Sequence, residues 1–133
     1  MKIFLVAKLD KIFSEYIRLR DSDKNGYVIC ISCNRLEYWK DVDCGHYINR
    51  RHLATRWHEK NCNAQCRSCN RFDEGNTAGY TLGLIKKYGK DIIKELLFIK
   101  NNCHKITDFE GKELIKYYTK KIKELKATKN LTR

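Results

Sequence analysis

The sequence predicts an α+β fold: a small zinc-stabilised core of short strands and one helix, flanked by N-terminal and C-terminal α-helices. Three observations predict it. Cys30-x-x-Cys33 and Cys66-x-x-Cys69 are two knuckles of the spacing that lets a pair of thiolates grip one tetrahedral ion. Apolar residues recur at helical spacing near both ends of the chain, and β-branched and aromatic runs of strand length lie between them. The 133 residues are read as one domain, 1–133, with an N-terminal helix in 1–22, the zinc-bound core in 27–78 and C-terminal helices in 79–128. A chain of this length buries about two thirds of its unfolded surface, so a structural metal adds substantially to a modest core.

In order along the chain, Leu9, Ile12, Phe13, Tyr16 and Ile17 fall at i, i+3, i+4, i+7 and i+8, the stripe of an amphipathic helix ending near Asp21. Asp23-Lys24-Asn25-Gly26 has turn chemistry, and 27–31 is suited to a short strand that delivers Cys30 and Cys33. A second strand is expected over 41–48, an arginine-rich loop of no clear period over 49–60, and a returning strand over 61–65. Cys66 or Cys69 would then open a helix. Tyr80, Leu84, Ile85 and Tyr88 recur at helical spacing and stop at Gly89, a residue type suited to the turn past a helix end. Ile92, Ile93, Leu96 and Leu97 mark another helix. Thr107-Asp108-Phe109-Glu110 is a capping-box sequence, and Leu114, Ile115, Tyr118, Ile122 and Leu125 continue one apolar face to near Lys126.

Charge and cysteine usage narrow the classes of function. Lys and Arg number 28 against 16 Asp and Glu, a formal charge of +12, which is the balance of a domain that binds a polyanion. Four of the seven cysteines form the two knuckles, which points to metal binding in a reducing compartment rather than to a disulfide framework. The apolar run at residues 3–7 is too short for a signal-peptide core or a membrane span. A cytoplasmic protein with no membrane association is expected.

Cys30, Cys33, Cys66 and Cys69 fit a closed structural zinc site, which leaves no open position for catalysis. Cys44, Cys62 and Cys103 are left over. Cys44 and His46 share a strand face, and with Cys62 they either hold a second metal or are small buried residues behind the site; the burial habit of free cysteine favours the second. His46 is the residue type for a general base acting on water near neutral pH, the alternative being a structural or zinc-binding histidine. His52, His58 and His104 have no comparable setting. From His46 to Arg71 there are six cations, Arg50, Arg51, Arg56, Lys60, Arg67 and Arg71, against one acid, Glu59. Such a cluster supplies contacts to a DNA backbone without reading sequence. Trp57 and Tyr47 are candidates to stack on an exposed base, whereas Trp39 is expected in the core. Lys116, Lys120, Lys121, Lys123 and Lys126 on the last helix either grip DNA or keep the protein soluble.

Asp43-Cys44-Gly45-His46, then Asn61, then Cys66-x-x-Cys69-Asn70 resembles the HNH nuclease signature on a ββα-metal fold, in its cysteine-knuckle form. More narrowly, CISCN, DCGHY, QCRSCN and EGN-x3-Y-x2-GLI resemble the NinG (Rap) proteins of lambdoid phages, over nearly the whole chain. The resemblance implies a structure-specific, metal-dependent endonuclease, a homodimer that cuts branched DNA such as Holliday junctions and D-loops in the host cytoplasm. It implies His46 as general base, Asn61 as the residue that holds the loop and orients it, and Asn70 as a ligand of a catalytic Mg²⁺ or Mn²⁺. Many HNH enzymes carry a second metal ligand at the position of Gly45, which glycine cannot supply. Asp43, two residues earlier on the same strand face, is the nearest carboxylate to replace it. Asp73, Glu74 and Asn76 are secondary candidates. A non-catalytic zinc-stabilised nucleic-acid-binding module is the alternative, and a zinc-stabilised protein-interaction domain, which leaves the basic surplus unexplained, is a third.

Overall fold

The first helix, α1 (Ile3–Asp21), forms where the apolar stripe predicts it. Leu5, Leu9, Phe13, Tyr16 and Ile17 are buried along one face, and Arg18 and Arg20 lie in the last turn, where cations complement the helix dipole. The computed structural model describes residues 1–102 and 105–131; Cys103 and His104 lie outside the described residues. Asp23 closes the turn after α1 by accepting the backbone N–H groups of Asn25 and Tyr27. The chain then forms β1 (Tyr27–Ile29), β2 (Leu36–Tyr38), a 3₁₀ turn (Trp39–Asp41), β3 (Val42–His46), α2 (Leu53–Arg56) and β4 (Cys62–Cys66). A single π-helical turn (Ser68–Phe72) follows, and α3 (Thr77–Tyr88), α4 (Ile92–Asn101) and α5 (Asp108–Thr128) complete the described elements. This is an α+β fold with two small antiparallel sheets, β1 with β2 and β3 with β4. No helix among the described residues is long and apolar enough to cross a membrane.

Five elements depart from the sequence reading. The segment before β3 contains a hairpin strand and a 3₁₀ turn that its composition does not announce. The basic stretch over 49–60 contains the one-turn helix α2 rather than an uninterrupted loop. The strand expected over 41–48 is shorter. The helix expected to open at Cys66 or Cys69 is one turn only, and a full helix begins at Thr77. Asn76 caps that helix with its side chain from a left-handed backbone (φ 40°). The capping box at Thr107 and Glu110 is present with both reciprocal bonds, and Gly89 follows α3 at φ 100°.

The main core lies between α1, the β3–β4 sheet and α5. Phe13 meets Tyr118 edge-on at 4.9 Å, and Tyr16 lies 4.7 Å from Tyr118. The two helices run parallel. Lys2 N, before α1, donates to Asp108 at the start of α5, and Lys129, just past the end of α5, donates to the Leu19 and Ser22 carbonyls at the end of α1. Trp39 is in the core as expected, flanked by the Arg18 guanidinium 5.5 Å from its ring. A second cluster joins Tyr80 and Leu84 of α3 to Ile92 and Leu96 of α4. Close approach fixes α3 against the first knuckle: a Cβ on Gly79 or Gly83 would lie 2.1 Å from the Ser32 carbonyl or 2.0 Å from that of Ile31.

A charged network ties α1, β4 and α3 together. Asp21 accepts from Arg20 Nε (2.8 Å), Lys87 Nζ (3.1 Å) and the Ala64 backbone N–H (2.8 Å). Arg20 also donates to the Glu59 and Cys62 carbonyls. Burial by itself raises the Asp21 carboxyl, but Arg20, Lys87 and the Ala64 N–H outweigh it and hold it below its ordinary 3.8. A carboxyl depressed in the folded state adds stability that is present above its unfolded pKa and lost as pH falls through the folded value. Asp21→Asn is therefore expected to destabilise the chain by ~3 kcal/mol at neutral pH, since it leaves a largely buried guanidinium without its counter-ion. Urea unfolding should show that gap shrinking below about pH 4, where the native protein loses the same contribution. A gap independent of pH would remove the ion pair as its cause.

Candidate metal centre and cleft

The backbone shapes both knuckles. Cys30 N donates to the Arg35 carbonyl (2.8 Å) and Asn34 N to the Cys30 carbonyl (3.0 Å), with Asn34 left-handed at φ 65°, so the first knuckle closes the turn between β1 and β2. The second places Cys66 at the end of β4 and Cys69 in the π-helical turn. All four sulfurs lie within 4.8 Å of one another, and those of Cys33 and Cys66 are 3.7 Å apart. Four sulfurs at about 2.3 Å from a tetrahedral zinc lie about 3.8 Å from each other. The cluster can hold a structural zinc.

The surroundings favour thiolates there. Cys30 Sγ accepts from the N–H groups of Cys66 (3.2 Å) and Ser32 (3.4 Å), Cys66 Sγ from that of Cys69 (3.4 Å), and Cys69 Sγ from the Asn76 side chain (3.4 Å). Asn76 is thereby committed to capping α3 and holding a knuckle sulfur, which corrects its reading as a candidate for the catalytic ion. In the absence of an ion, burial, reinforced by the neighbouring thiols, pushes Cys69 up to about 12. For Cys66, hydrogen bonds from Cys69 and the other thiols overcome burial and bring the thiol down. A bound cation removes the mutual repulsion that keeps the four from ionising together.

Beside this centre, α1, β3 and the π-helical turn enclose an open cleft of about 930 Å³. Cys44, His46, Asp43 and Asn70 line it. Strand alternation divides them: Cys44 and His46 lie on one face of β3, Asp43 and Gly45 on the other. Among the described residues β3 pairs with β4 alone, and the cleft lies along its outer edge. The His46 ring gives its Nε2 hydrogen to the Arg56 carbonyl at 2.9 Å. A carbonyl can only accept, so the neutral ring carries its lone pair on Nδ1. Burial holds the His46 imidazole below the ordinary histidine value, against the pull of the Arg56 carbonyl and Asp10.

Asn61 sets the position of that carbonyl. It is fully buried; its amide donates to the Ile48 and Thr55 carbonyls (3.1 and 3.0 Å) and accepts from Ile48 N (2.8 Å), closing the loop that carries Arg56. Glu59, the one acid of the basic stretch, accepts from the Tyr16 and Tyr118 hydroxyls and anchors the far side of the loop to both long helices. Asp43 is engaged from two sides. Arg71 grips it with two bonds of 2.8 Å and Asn70 donates to it at 2.9 Å. Burial pushes this carboxyl up, but Arg71 and Asn70 outweigh it and hold it below the usual range. Gly45 has no room for a larger residue: a Cβ there would lie 2.1 Å from Gln65 Oε1.

The residues expected to contact DNA separate into two groups. Arg50, Arg67 and Arg71 line the cleft. Arg56 is instead paired with Asp10 and Lys60 with Glu95, while Arg51 is exposed outside the cleft lining. Trp57 requires correction: only 7% exposed, it packs in the main core and donates its indole N–H to Asp10 at 2.9 Å, so its ring is not free to stack on a base. Arg18 and Lys40 line the cleft and were missed, because each is separated in sequence from the basic cluster and reaches it only through the packing of α1 and the 3₁₀ turn. Among the secondary candidates, Glu74 lines the cleft and Asp73 does not.

A structural zinc contributes on the order of 10 kcal/mol of apparent folding free energy, as much as a whole domain's stability. Chelation at neutral pH is therefore expected to unfold the chain, read as loss of the near-ultraviolet dichroism of Trp39 and Trp57, with recovery on adding zinc. A spectrum unchanged in strong chelator would show that the knuckles stand without metal.

Comparison with known proteins gives a consistent result over almost the whole chain. The family model described as "Bacteriophage Lambda NinG protein" matches residues 3–128. Protein ninG of Escherichia phage lambda is 29% identical over 130 residues, covering 96% of this chain and 60% of the relative. The same-named proteins of Escherichia phage 933W and Salmonella phage P22 are each 28% identical over 130 residues, with 96% of this chain covered and 61% and 60% of theirs. The chain thus spans about three fifths of the length of these curated relatives. No solved structure matches it. With the match running from the start of α1 to the end of α5, the chain belongs to the bacteriophage lambda NinG family.

Proposed function

We propose that this protein is a divalent-metal-dependent endodeoxyribonuclease that cuts branched recombination intermediates, Holliday junctions and D-loops, as a homodimer in the host cytoplasm. The observation that carries this reading is the His46 imidazole in a basic cleft, its tautomer set by the Arg56 carbonyl. In this reading β3, the loop, β4 and the π-helical turn are a ββα-metal core of the HNH kind with its helix cut to one turn.

Each residue has a defined task. Arg18, Lys40, Arg50 and Arg67 line the cleft and hold backbone phosphates without reading bases. His46 takes a proton from the attacking water at Nδ1, while its Nε2–H stays on the Arg56 carbonyl. Asn61 does not touch the substrate; it positions His46 through the loop. Asp43 and Asn70 offer one carboxylate and one amide oxygen, donors of the hard type that Mg²⁺ or Mn²⁺ accepts together with water and phosphate oxygens. Such an ion would polarise the scissile phosphate and stabilise the departing oxygen. A phosphate entering the cleft gives Arg71 a new partner and releases Asp43 from the bidentate pair seen in the free protein.

The same pair favours a second reading, a zinc-stabilised nucleic-acid-binding module without catalysis, in which Asp43 serves only to fix Arg71. Cleavage of an end-labelled four-way junction against a linear duplex of the same sequences, in Mg²⁺, Mn²⁺ or EDTA, separates the two. Metal-dependent cutting of the junction is expected, reduced about 10² to 10⁴-fold in His46→Ala with folding kept. The acid limb of the rate should lie below the ordinary histidine value of about 6.5, because burial lowers the proton affinity of His46. Junction binding with no cutting in either metal would leave the binding module. Equal cutting of both substrates would keep the nuclease and remove its preference for branches.

A further inference from the structure

We propose that Cys44, His46 and Cys62 form a second metal site, separate from the four-cysteine cluster, which takes a thiophilic ion of the zinc class and opens on the cleft. The sheet creates it. Cys44 and His46 are two apart on β3 and so share a face, and Cys62 is the residue paired with His46 across the ladder. One ligand atom from each lies within 4.8 Å of the other two. Zinc bonds of about 2.3 Å to sulfur and about 2.0 Å to nitrogen bring ligand atoms to roughly 3.5–3.8 Å, a closure that small side-chain rotations supply.

A second, independent feature points the same way. A metal-bound histidine nearly always gives its other ring N–H to a carbonyl or carboxylate, which fixes the tautomer and turns the free lone pair toward the ion. His46 already makes that bond, to the Arg56 carbonyl. The Cys62 thiol lies against the same carbonyl at 3.4 Å and is fully buried, whereas Cys44 lines the cleft and gives access from solvent. Binding is balanced as two thiols and a neutral imidazole taking up M²⁺, with two protons released to solvent. Two thiolates and an imidazole are a soft donor set that selects against Mg²⁺, so this site and the Asp43–Asn70 pair take different ions. With three protein ligands, the fourth position belongs to water from the cleft. Occupation engages the His46 lone pair and so blocks proton transfer; this inhibitory consequence rests on the proposed nuclease function, and the site itself does not.

The test is the zinc content of the full chain after saturation with zinc and removal of free ion, in the native protein, Cys44→Ala and Cys62→Ala. The expected result is two ions per chain in the native protein and one in each variant. One ion in the native protein, or two retained in both variants, would overturn the site. Should Cys62→Ala fail to fold, Cys44→Ala alone decides, and alkylation of the native protein gives a separate readout. Zinc should protect Cys44 from iodoacetamide, and labelling unaffected by zinc would count against it as a ligand. For the consequence, excess zinc should suppress junction cleavage at least tenfold in the native protein and not in Cys44→Ala. Two ions without suppression would keep the site and reject inhibition. An inactive native protein would reject the nuclease, and the metal count would still decide the site.

Discussion

The structure turns on the complete burial of β4. All five of its residues are buried, two of them with amide side chains. In a two-stranded sheet only one edge of this strand is paired by its neighbour, so its remaining polar groups must be met by something else or cost about 1–3 kcal/mol each. α1, α3, the first knuckle and the turn before α3 supply the answer. The Ala64 N–H goes to Asp21 of α1 and the Ala64 carbonyl to Ile31 N of the first knuckle. Asn63 is met by Tyr80 and Lys87 of α3 and by Arg20, and Gln65 by Ser32 and the Gly75 carbonyl. The helices and knuckles stand where they do because a polar strand in the interior needs them there.

Much of this was legible from the chain alone. The stripe from Leu9 to Ile17, the capping box at Thr107, the stop at Gly89 and the two knuckles each rest on a local rule, and each is where that rule puts it. What escaped is non-local. Leu36–Tyr38 is three residues with an exposed leucine and a glutamate, too short for alternation to register, and it is a strand because β1 offers it a partner. Trp57 reads as a loop residue in a basic run until Asp10, on α1 and 47 positions away, takes its N–H. Gly79 and Gly83 look like poor helix residues; only the carbonyls of Ile31 and Ser32 beneath them explain the choice.

The site was legible in composition rather than in arrangement. His46, Asp43 and Asn70 do line one cleft. The pleat nevertheless sends the histidine toward α1 and the cysteines, and the carboxylate toward the π-helical turn and Arg71. That division leaves His46 beside Cys44 and Cys62 with its Nε2 hydrogen on the Arg56 carbonyl, a setting common to both roles proposed for it. It also accounts for Gly45: the packing of Gln65 against the strand removes the space that a larger side chain would need.

The parallel pairing of α1 with α5 has a consequence for how the molecule is made. The bond between Lys2 and Asp108 spans 106 positions, and the aromatic cluster of Phe13, Tyr16 and Tyr118 spans nearly as many. Contacts of such separation form late, because loop closure must precede any gain from them. During synthesis the knuckles and the β3–β4 hairpin emerge while α1 still lacks its principal partner. Its apolar face stays open until α5 has been synthesised, so the nascent chain is prone to aggregate until then.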